Sequence, residues 1–131
     1  MYCLDTNIII DFLRGEPAVI KKIQSMKSKN AGLFINTVVL CELYKGAYLA
    51  KANIENILSK IKFLTESLDS LDFNTNASLL FGKEYGRLSK LGKTPQELDL
   101  MIASIAKAHN MILITRDKND FKNIDVKIEV W

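Results

Sequence analysis

Short apolar runs alternate with longer helical stretches along this chain of 131 residues. Five runs have the length and apolar content of buried strands: residues 1–5, 33–36, 68–73, 111–115 and 126–130. Helical stretches separate the first four of these runs. Strands that alternate with helices predict a parallel sheet, because a parallel connection needs a crossover long enough to hold a helix. The sequence therefore predicts an α/β fold, with helices flanking both faces of a short parallel sheet.

Capping residues and apolar spacing predict six helices. We expect Asp5 or Thr6 to cap the first helix and Gly15 to end it, and we expect Thr37 to cap the third. In the fourth helix, apolar residues recur at the spacing of one buried stripe. The predicted helices span residues 7–14, 16–29, 37–51, 54–64, 76–91 and 96–109.

The length fits a single domain, residues 1–131, with its own core. Hydrophobic residues make up 48% of the chain, and the net charge of +3 permits a nucleic-acid partner without requiring one. Cys3 and Cys41 lie in apolar runs, so we expect buried, reduced thiols of a cytoplasmic protein. Asp5 and Asp11 interrupt the apolar N-terminus, which therefore does not resemble a signal peptide. No apolar run approaches the roughly 20 residues needed to cross a membrane.

Four acidic residues lie where a chain of this kind has little structural need for acid: Asp5, Glu42, Asp99 and Asp117. Carboxylates in core-like segments are costly unless they are paired or bound to a metal. No arginine or lysine lies inside three of these segments, and only Arg116 adjoins the fourth. Asp5 and Asp117 follow predicted strands, at the sheet edge where sites form in parallel sheets. Glu42 and Asp99 lie on helices that can lean over the same edge.

Convergence of these acids would favour a shared divalent cation. Two carboxylates about 5 Å apart repel by roughly 3 kcal/mol at an effective dielectric of about 20. Oxygen-only ligands favour Mg²⁺ or Mn²⁺ over Zn²⁺, and such a site suits phosphodiester hydrolysis. Each acid also has an ordinary structural explanation. Asp5 suits a helix cap, Asp99 a first-turn charge, Asp117 a turn residue, and Glu42 the rim of a buried stripe.

The order and context of these residues resemble the PIN-domain ribonucleases, and specifically the VapC toxins of bacterial and archaeal toxin–antitoxin pairs. The resemblance spans the whole chain. It rests on short motifs that are weak alone but specific in this order. The motifs are Leu4-Asp5-Thr6-Asn7, Thr37, Cys41-Glu42-Leu43-Tyr44-Lys45-Gly46, Asp99-Leu100-Met101-Ile102-Ala103, Ile114-Thr115-Arg116-Asp117, Asp120-Phe121 and Val130-Trp131.

The resemblance implies a PIN-like three-layer fold and a Mg²⁺-dependent endoribonuclease, with Mn²⁺ as a second candidate ion. It implies that the metal-binding and catalytic acids are the four named above: Asp5, Glu42, Asp99 and Asp117. Thr6, Asn7 and Thr115 are implied as their polar neighbours, and Asp120 as a substitute for Asp117 in the same loop. The family often has a small or polar residue before its third acid, whereas Leu98 precedes Asp99 here, so the local geometry stays open.

The resemblance also implies partners. The substrate would be single-stranded or loop RNA, commonly tRNA or ribosomal RNA, cut by water to leave a 5′-phosphate and a 3′-hydroxyl. A cognate antitoxin would block the site, and the toxin would form a homodimer. From the residues alone, Arg116 and the helical stripe Lys83, Arg87 and Lys90 are candidate phosphate contacts. That stripe is equally well explained as a solvated helix face.

Other functions remain open at this point. A PIN nuclease of RNA processing would need no antitoxin. A phosphoacceptor domain of response-regulator type would need adjacent acids after the first strand, but Thr6 follows Asp5, and Asp72 is a weak acceptor candidate. A haloacid-dehalogenase phosphatase would need a second aspartate where Asn7 stands. A binding module without activity would not need the acids. Because His109 is the only histidine, paired-histidine RNA cleavage is disfavoured.

Overall fold

A computed structural model describes residues 1–131. The strands are β1 (Tyr2–Leu4), β2 (Leu33–Asn36), β3 (Asp69–Leu71), β4 (Ile112–Thr115) and β5 (Ile128–Val130). The α-helices are α1 (Thr6–Leu13), α2 (Pro17–Ser28), α3 (Thr37–Leu49), α4 (Ile54–Ser67), α5 (Thr75–Lys90) and α6 (Glu97–Ala108). A 3₁₀ turn at Lys118–Asp120 lies between β4 and β5. All predicted strands and helices are present, with ends close to the predicted positions.

All five strands run parallel in one sheet, in the order β3-β2-β1-β4-β5. Strand β1 is central, and its Tyr2 is paired with Leu33 on one side and with Ile112 on the other. The chain builds outward from β1 through β2 and β3, then crosses to the other side of β1 for β4 and β5. This reversal creates a crevice beyond the carboxyl ends of β1 and β4, the position at which open parallel sheets bind ligands.

Burial along the central strands shows that helices cover both faces of the sheet. Successive strand residues point to opposite faces, yet Cys3 and Leu4 of β1 have no exposed surface, and neither do Leu113 and Ile114 of β4. The α/β fold predicted from the sequence is therefore confirmed. No helix combines the length and the apolar character needed to cross a membrane.

Two local predictions were wrong. Asn36, not Thr37, caps α3, since its side chain accepts a hydrogen bond from the Val39 N–H at 2.9 Å. Asn36 is the last, extended residue of β2, so the capping position falls one residue earlier than predicted. Cys41 is exposed rather than buried, because the apolar run around it winds into a helix. Only one side of that helix, with Val39 and Leu43, is buried.

Cys3 is buried as predicted, and both cysteines are free thiols. The pKa of the Cys3 thiol is raised to about 11. Burial is the main cause and the Asp5 charge adds to it, whereas a hydrogen bond from Asn36 partly offsets them. At neutral pH this thiol is therefore protonated, so Cys3 acts as a core residue and not as a nucleophile.

Candidate active site

The candidate site lies in the crevice where β1 and β4 end. Asp5 follows β1 directly, and its backbone N–H donates to the Ile114 carbonyl of β4 at 2.9 Å. Glu42 projects from the second turn of α3, and Asp99 lies in the first turn of α6. Asp117 and Asp120 lie in the segment that follows β4. The fold therefore brings the predicted acids to one edge of the sheet.

Asp5 is both a helix cap and the buried acid of the site. Its Oδ1 accepts from the Thr6 N–H at 2.8 Å, and its Oδ2 accepts from the Thr115 hydroxyl at 2.7 Å. The residue is only 4% exposed. Burial raises the pKa of Asp5 above its ordinary value, as do the charges of Glu42 and Asp120, although the two hydrogen bonds lower it. The capping role and a functional role are thus compatible in one side chain.

Thr6 joins Asp5 to Glu42. Its backbone N–H binds Asp5, while its hydroxyl donates to Glu42 Oε1 at 2.7 Å. These two contacts fix two carboxylates from different elements, the end of β1 and the middle of α3. Thr6 therefore links two of the predicted acids, and its role beside a metal ion stays a prediction.

The pKa of Asp99 is the most direct sign that the acids lie close enough to act on one another. Partial burial, the largest cause, and four negative charges together raise the pKa of Asp99 to about 7. In order of decreasing effect these are Asp120, Asp5, Glu42 and Asp117. Like charges disfavour ionisation of a carboxyl group, so each of these acids lies close enough to Asp99 to oppose its charge.

Asp117 and Asp120 influence Asp99 unequally. The Asp117 side chain caps the 3₁₀ turn by accepting from the Asn119 N–H at 2.9 Å, which is the ordinary turn role. It is also the weakest of the four charges acting on Asp99. Asp120 is the strongest, and burial together with Asp117 raises the pKa of Asp120 itself. A ligand role for Asp117 stays a prediction, and Asp120 has the stronger coupling to the centre.

Thr115 and Asn7 organise the polar side of Asp5. The Thr115 hydroxyl donates to Asp5 and accepts from the Asn7 side-chain amide at 3.4 Å and from the Asp117 N–H at 3.3 Å. The Asn7 Oδ1 accepts from the Arg116 N–H at 3.2 Å. This network ties α1 to the end of β4, so the orientation of Asp5 depends on both elements.

Sequence reasoning missed the role of Asp11, a buried acid on α1. Its carboxylate pairs with the Arg116 guanidinium at 2.5 Å. The available signal was its spacing, because Asp11 lies one helical turn after Asn7 on α1, the helix that begins directly after Asp5. Arg116 therefore neutralises Asp11, although more than half of its side chain remains exposed.

The predicted basic stripe on α5 is only partly free. Arg87 forms an ion pair with Glu84 at 2.5 Å and also donates to the Asn123 carbonyl at 2.9 Å. Lys83 and Lys90 are exposed. RNA binding by Arg116, Lys83, Arg87 and Lys90 stays a prediction, and Arg87 has a structural partner that competes with it.

The donor atoms at the centre fit an oxygen-preferring divalent cation. In this arrangement no group of three acidic, histidine or cysteine side chains is placed to hold a metal ion. Mg²⁺, however, commonly keeps several waters and binds only one or two carboxylates directly. The site offers carboxylate and hydroxyl oxygens and neither histidine nor thiolate, which favours Mg²⁺ or Mn²⁺ over zinc.

The raised pKa values predict that stability of the metal-free protein falls as the pH rises. Asp99 titrates at 3.8 when unperturbed and at about 7 in the fold, so the folded state holds more protons than the unfolded state between those values. Stability then decreases with pH across that window. We expect a lower melting temperature at pH 8 than at pH 5 in EDTA. Asp99→Asn should flatten this dependence. An unchanged slope of melting temperature against pH in that variant would contradict a raised pKa of Asp99.

The fold and the acidic centre define the class of protein. The sequence model of the PIN domain matches residues 2–127, and the chain therefore belongs to the PIN-domain family. Within it the chain is a member of the VapC ribonucleases, being 34% identical to ribonuclease VapC1 of Haemophilus influenzae over 132 aligned residues. That alignment covers 100% of this chain and 98% of the relative.

Two further relatives agree with this membership. A crystal structure of VapBC2 from Rickettsia felis bound to a promoter DNA fragment contains a chain with a TM-score of 0.91 and 29% identity. That match covers 99% of this chain and 98% of the other. A Shigella flexneri relative named tRNA(fMet)-specific endonuclease VapC is 27% identical over 99% of this chain and 97% of its own length. The predicted PIN fold and the predicted VapC-type ribonuclease are thus confirmed.

Proposed function

We propose that this VapC-family ribonuclease hydrolyses RNA phosphodiester bonds with Mg²⁺ or Mn²⁺ held at the centre that Asp5, Glu42 and Asp99 form with Asp120 or Asp117, one or two of these acids binding the ion directly and the others through its waters. The observation that carries the proposal is the pKa of Asp99, which burial and four neighbouring carboxylates raise to about 7. A cluster of mutually repelling acids that must stay together at neutral pH is best stabilised by a bound cation.

The chain's own residues prepare the centre for a cation and a phosphate. Thr6 and Thr115 each donate to one oxygen of Asp5, which leaves a second lone pair on each oxygen available. Thr6 also holds Glu42, and its hydroxyl takes up only one of the two carboxylate oxygens. Burial and the neighbouring carboxylates raise the pKa of Asp99 to about 7, and a bound cation would offset this by favouring the charged carboxylate. When bound, Mg²⁺ supplies charge neutralisation at the phosphate and a water of lowered pKa.

The competing phosphoacceptor function has little support. Asp72, its best acceptor candidate, follows β3 at the edge of the sheet. Strand β2 separates β3 from β1 and therefore from Asp5. Acceptor chemistry needs the acids and the acceptor in one crevice, so this placement argues against it.

For substrate and partners, the relatives' names guide the proposal. A relative named as specific for tRNA(fMet), and a neighbour captured in a VapBC complex, support a structured RNA substrate and a cognate antitoxin. We extend both to this chain, with tRNA or ribosomal RNA as the substrate class, and we propose a homodimer that acts in the cytoplasm.

The test is incubation of the purified protein with total RNA and Mg²⁺, followed by mapping of the cut ends. Discrete cuts with 5′-phosphates support the proposal, whereas intact RNA would refute it.

An exposed apolar patch on α3 is our candidate contact for the antitoxin or a second copy of this chain. The α3 patch consists of Tyr44, Tyr48 and Leu49, which are 39%, 68% and 71% exposed. It adjoins a groove of about 280 Å³ beside Glu42 that is lined mainly by apolar residues, Leu43 and Ile57 among them. Large apolar side chains at an interface commonly dominate its affinity.

The double substitution Tyr48→Glu and Leu49→Glu should therefore weaken antitoxin binding or self-association by at least about tenfold, because charge would be buried in an apolar contact. Leu79→Glu on α5, where the leucine is 56% exposed, is the matched control. Calorimetry with the antitoxin and sedimentation of the free protein measure the two effects. If both quantities match the wild type, the α3 patch is not an interface.

A further inference from the structure

A polar groove leads away from the acidic centre on the side of α6. It has a volume of about 410 Å³ and lies between the start of α6 and the segment after β4. Asp99 and Asp120 stand at its inner end, and only one of its ten lining residues is hydrophobic. The groove therefore includes two acids of the candidate active site.

Three side-chain amides and one lysine line this groove: Gln96, Asn119, Asn123 and Lys93. The amide groups of the three side chains form no hydrogen bond within the protein, although the backbone of each residue is engaged, Gln96 through its carbonyl with the Leu100 N–H at 3.1 Å. An amide side chain both donates and accepts, which suits it to the Watson–Crick edges of unstacked bases. The Lys93 ammonium can neutralise a backbone phosphate.

The wall that carries Lys93 is fixed by the end of α5. Gly92 adopts a left-handed conformation with φ of +66°, which glycine tolerates without strain. The Gly92 N–H donates to the Ser89 carbonyl at 3.0 Å, and the Lys93 N–H donates to the Leu88 carbonyl at 2.9 Å. These two bonds form the Schellman arrangement that ends many helices. The backbone of Lys93 is thus held at the rim of the groove.

The opposite wall is fixed by an ion pair on α5. Arg87 donates to the Asn123 carbonyl at 2.9 Å, and Glu84 accepts from the Asp125 N–H at 2.8 Å. Glu84 and Arg87 also bind each other, and this hydrogen bond lowers the pKa of the Glu84 carboxyl. Arg87 therefore serves as a clamp on the backbone at Asn123, while the Asn123 side chain stays free for a ligand. The groove is formed before any ligand arrives.

The groove on the other side of the acids has a different character. That groove, beside Glu42, is lined by six hydrophobic residues out of ten. That groove contains Arg14 and Lys60, which suit phosphates, but no side-chain amide to pair with a base, whereas the amide-lined groove has three. The two sides of the acidic centre are therefore chemically distinct.

We infer that the amide-lined groove binds the single-stranded RNA segment next to the cut bond, with Gln96, Asn119 and Asn123 contacting bases and Lys93 contacting a phosphate. This inference rests on the proposed function, because it assigns a substrate-binding role to residues that adjoin the same acids. If these residues contact bases, they also influence which RNA sequence is placed at the acidic centre and cut. Base contacts specify sequence, whereas phosphate contacts only position the strand.

The test uses the full chain in an Asp5→Asn background, so that RNA is bound but not cut. Fluorescence anisotropy with a short labelled single-stranded RNA of mixed sequence measures affinity. Asn123→Ala and Gln96→Ala should each weaken binding about fivefold, the effect of losing one net hydrogen bond. Lys93→Gln should lower the log–log salt slope by about 0.7, the value for one contact to a single strand. Asn56→Ala and Lys62→Gln on exposed positions of α4 are the matched controls.

Cleavage kinetics with otherwise wild-type chains complete the test. Asn123→Ala keeps the backbone carbonyl that Arg87 binds, so the fold should be retained. We expect KM to rise about fivefold, kcat to change less, and the preferred cut sequences to shift. If the groove variants bind and cut as their α4 controls do while the wild type cleaves, this inference alone is refuted. If RNA binds through the groove but the wild type never cleaves it, the proposed function alone is refuted.

Discussion

Asp5→Asn should abolish RNA cleavage, by a factor of roughly 10²–10³ or more, without lowering the stability of the metal-free protein. Asp5 is the most buried acid of the centre, and both of its oxygens are fixed by hydrogen bonds. Asparagine has the same shape but loses the negative charge that attracts a cation. It also removes one of the charges that raise the pKa of Asp99. The measurements are initial cleavage rates with Mg²⁺ and melting temperatures in EDTA.

The melting temperature separates a functional role for Asp5 from a structural one. If Asp5 serves only to cap α1, asparagine, which is equally good as a cap, should leave cleavage intact. If the acids form a repelling cluster, the variant should melt no lower than the wild type in EDTA, because repulsion is relieved. Asp99→Asn should behave in the same way. Full cleavage by either purified variant would exclude these acids from the reaction.

Asp120→Asn should reduce cleavage by roughly 10²-fold, the scale of one electrostatic group at a catalytic centre, and Asp117→Asn by less than about tenfold. The reason is the unequal influence of the two carboxylates on Asp99, where Asp120 acts most strongly and Asp117 least. Asp117 is also occupied by the Asn119 N–H at the 3₁₀ turn. Removing its charge therefore takes little from the centre, and asparagine keeps the oxygen that caps the turn. Paired cleavage assays at one Mg²⁺ concentration measure the difference.

A stability measurement is the control for this pair of variants. Asp117→Asn retains a side-chain oxygen that can cap the turn, so both proteins should melt near the wild-type temperature. Equal activity loss in the two variants would mean that both acids contribute to the centre. A larger loss in Asp117→Asn than in Asp120→Asn would restore the order that the sequence resemblance implied.

The fold was predictable because its signals are local and repeated. Fully apolar runs such as Leu113 and Ile114 have no solvent-exposed face, and they alternate with capped helices. The order of strands in the sheet was not predictable in the same way. It depends on which strand pairs with β1, and that is decided by packing over long distances in the chain.

The candidate acids could be picked out from the sequence because carboxylates in apolar segments with almost no neighbouring arginine or lysine stand out. Their relative importance was not. Asp117 and Asp120 lie three residues apart in a loop, and only the path of that loop decides which carboxylate faces Asp99. The pairing of Asp11 with Arg116 was missed for the same reason, since the two residues are 105 positions apart. The amide-lined groove likewise joins segments that are distant in sequence.

The local errors have a common physical origin. Cys41 lies in an apolar run, but a helix turns its successive residues through about 100° each, so an apolar run cannot be buried on every side of a surface helix. Asn36 replaced Thr37 as the cap of α3 because β2 runs directly into the helix. In both cases the geometry of the folded element decides, and not the composition of the run: the helical period leaves Cys41 exposed, and the end of β2 places the cap at Asn36.

The most direct test of the central claim is a titration of the metal-free protein with Mn²⁺ and Mg²⁺, followed by calorimetry and by RNA cleavage on the same samples. We expect the wild type to bind the ion and to cut RNA only when the ion is bound. Asp5→Asn and Asp99→Asn should lose both properties while staying folded. Cleavage that persists in EDTA, or variants that bind the ion as the wild type does, would contradict an acidic metal centre at the ends of β1 and β4.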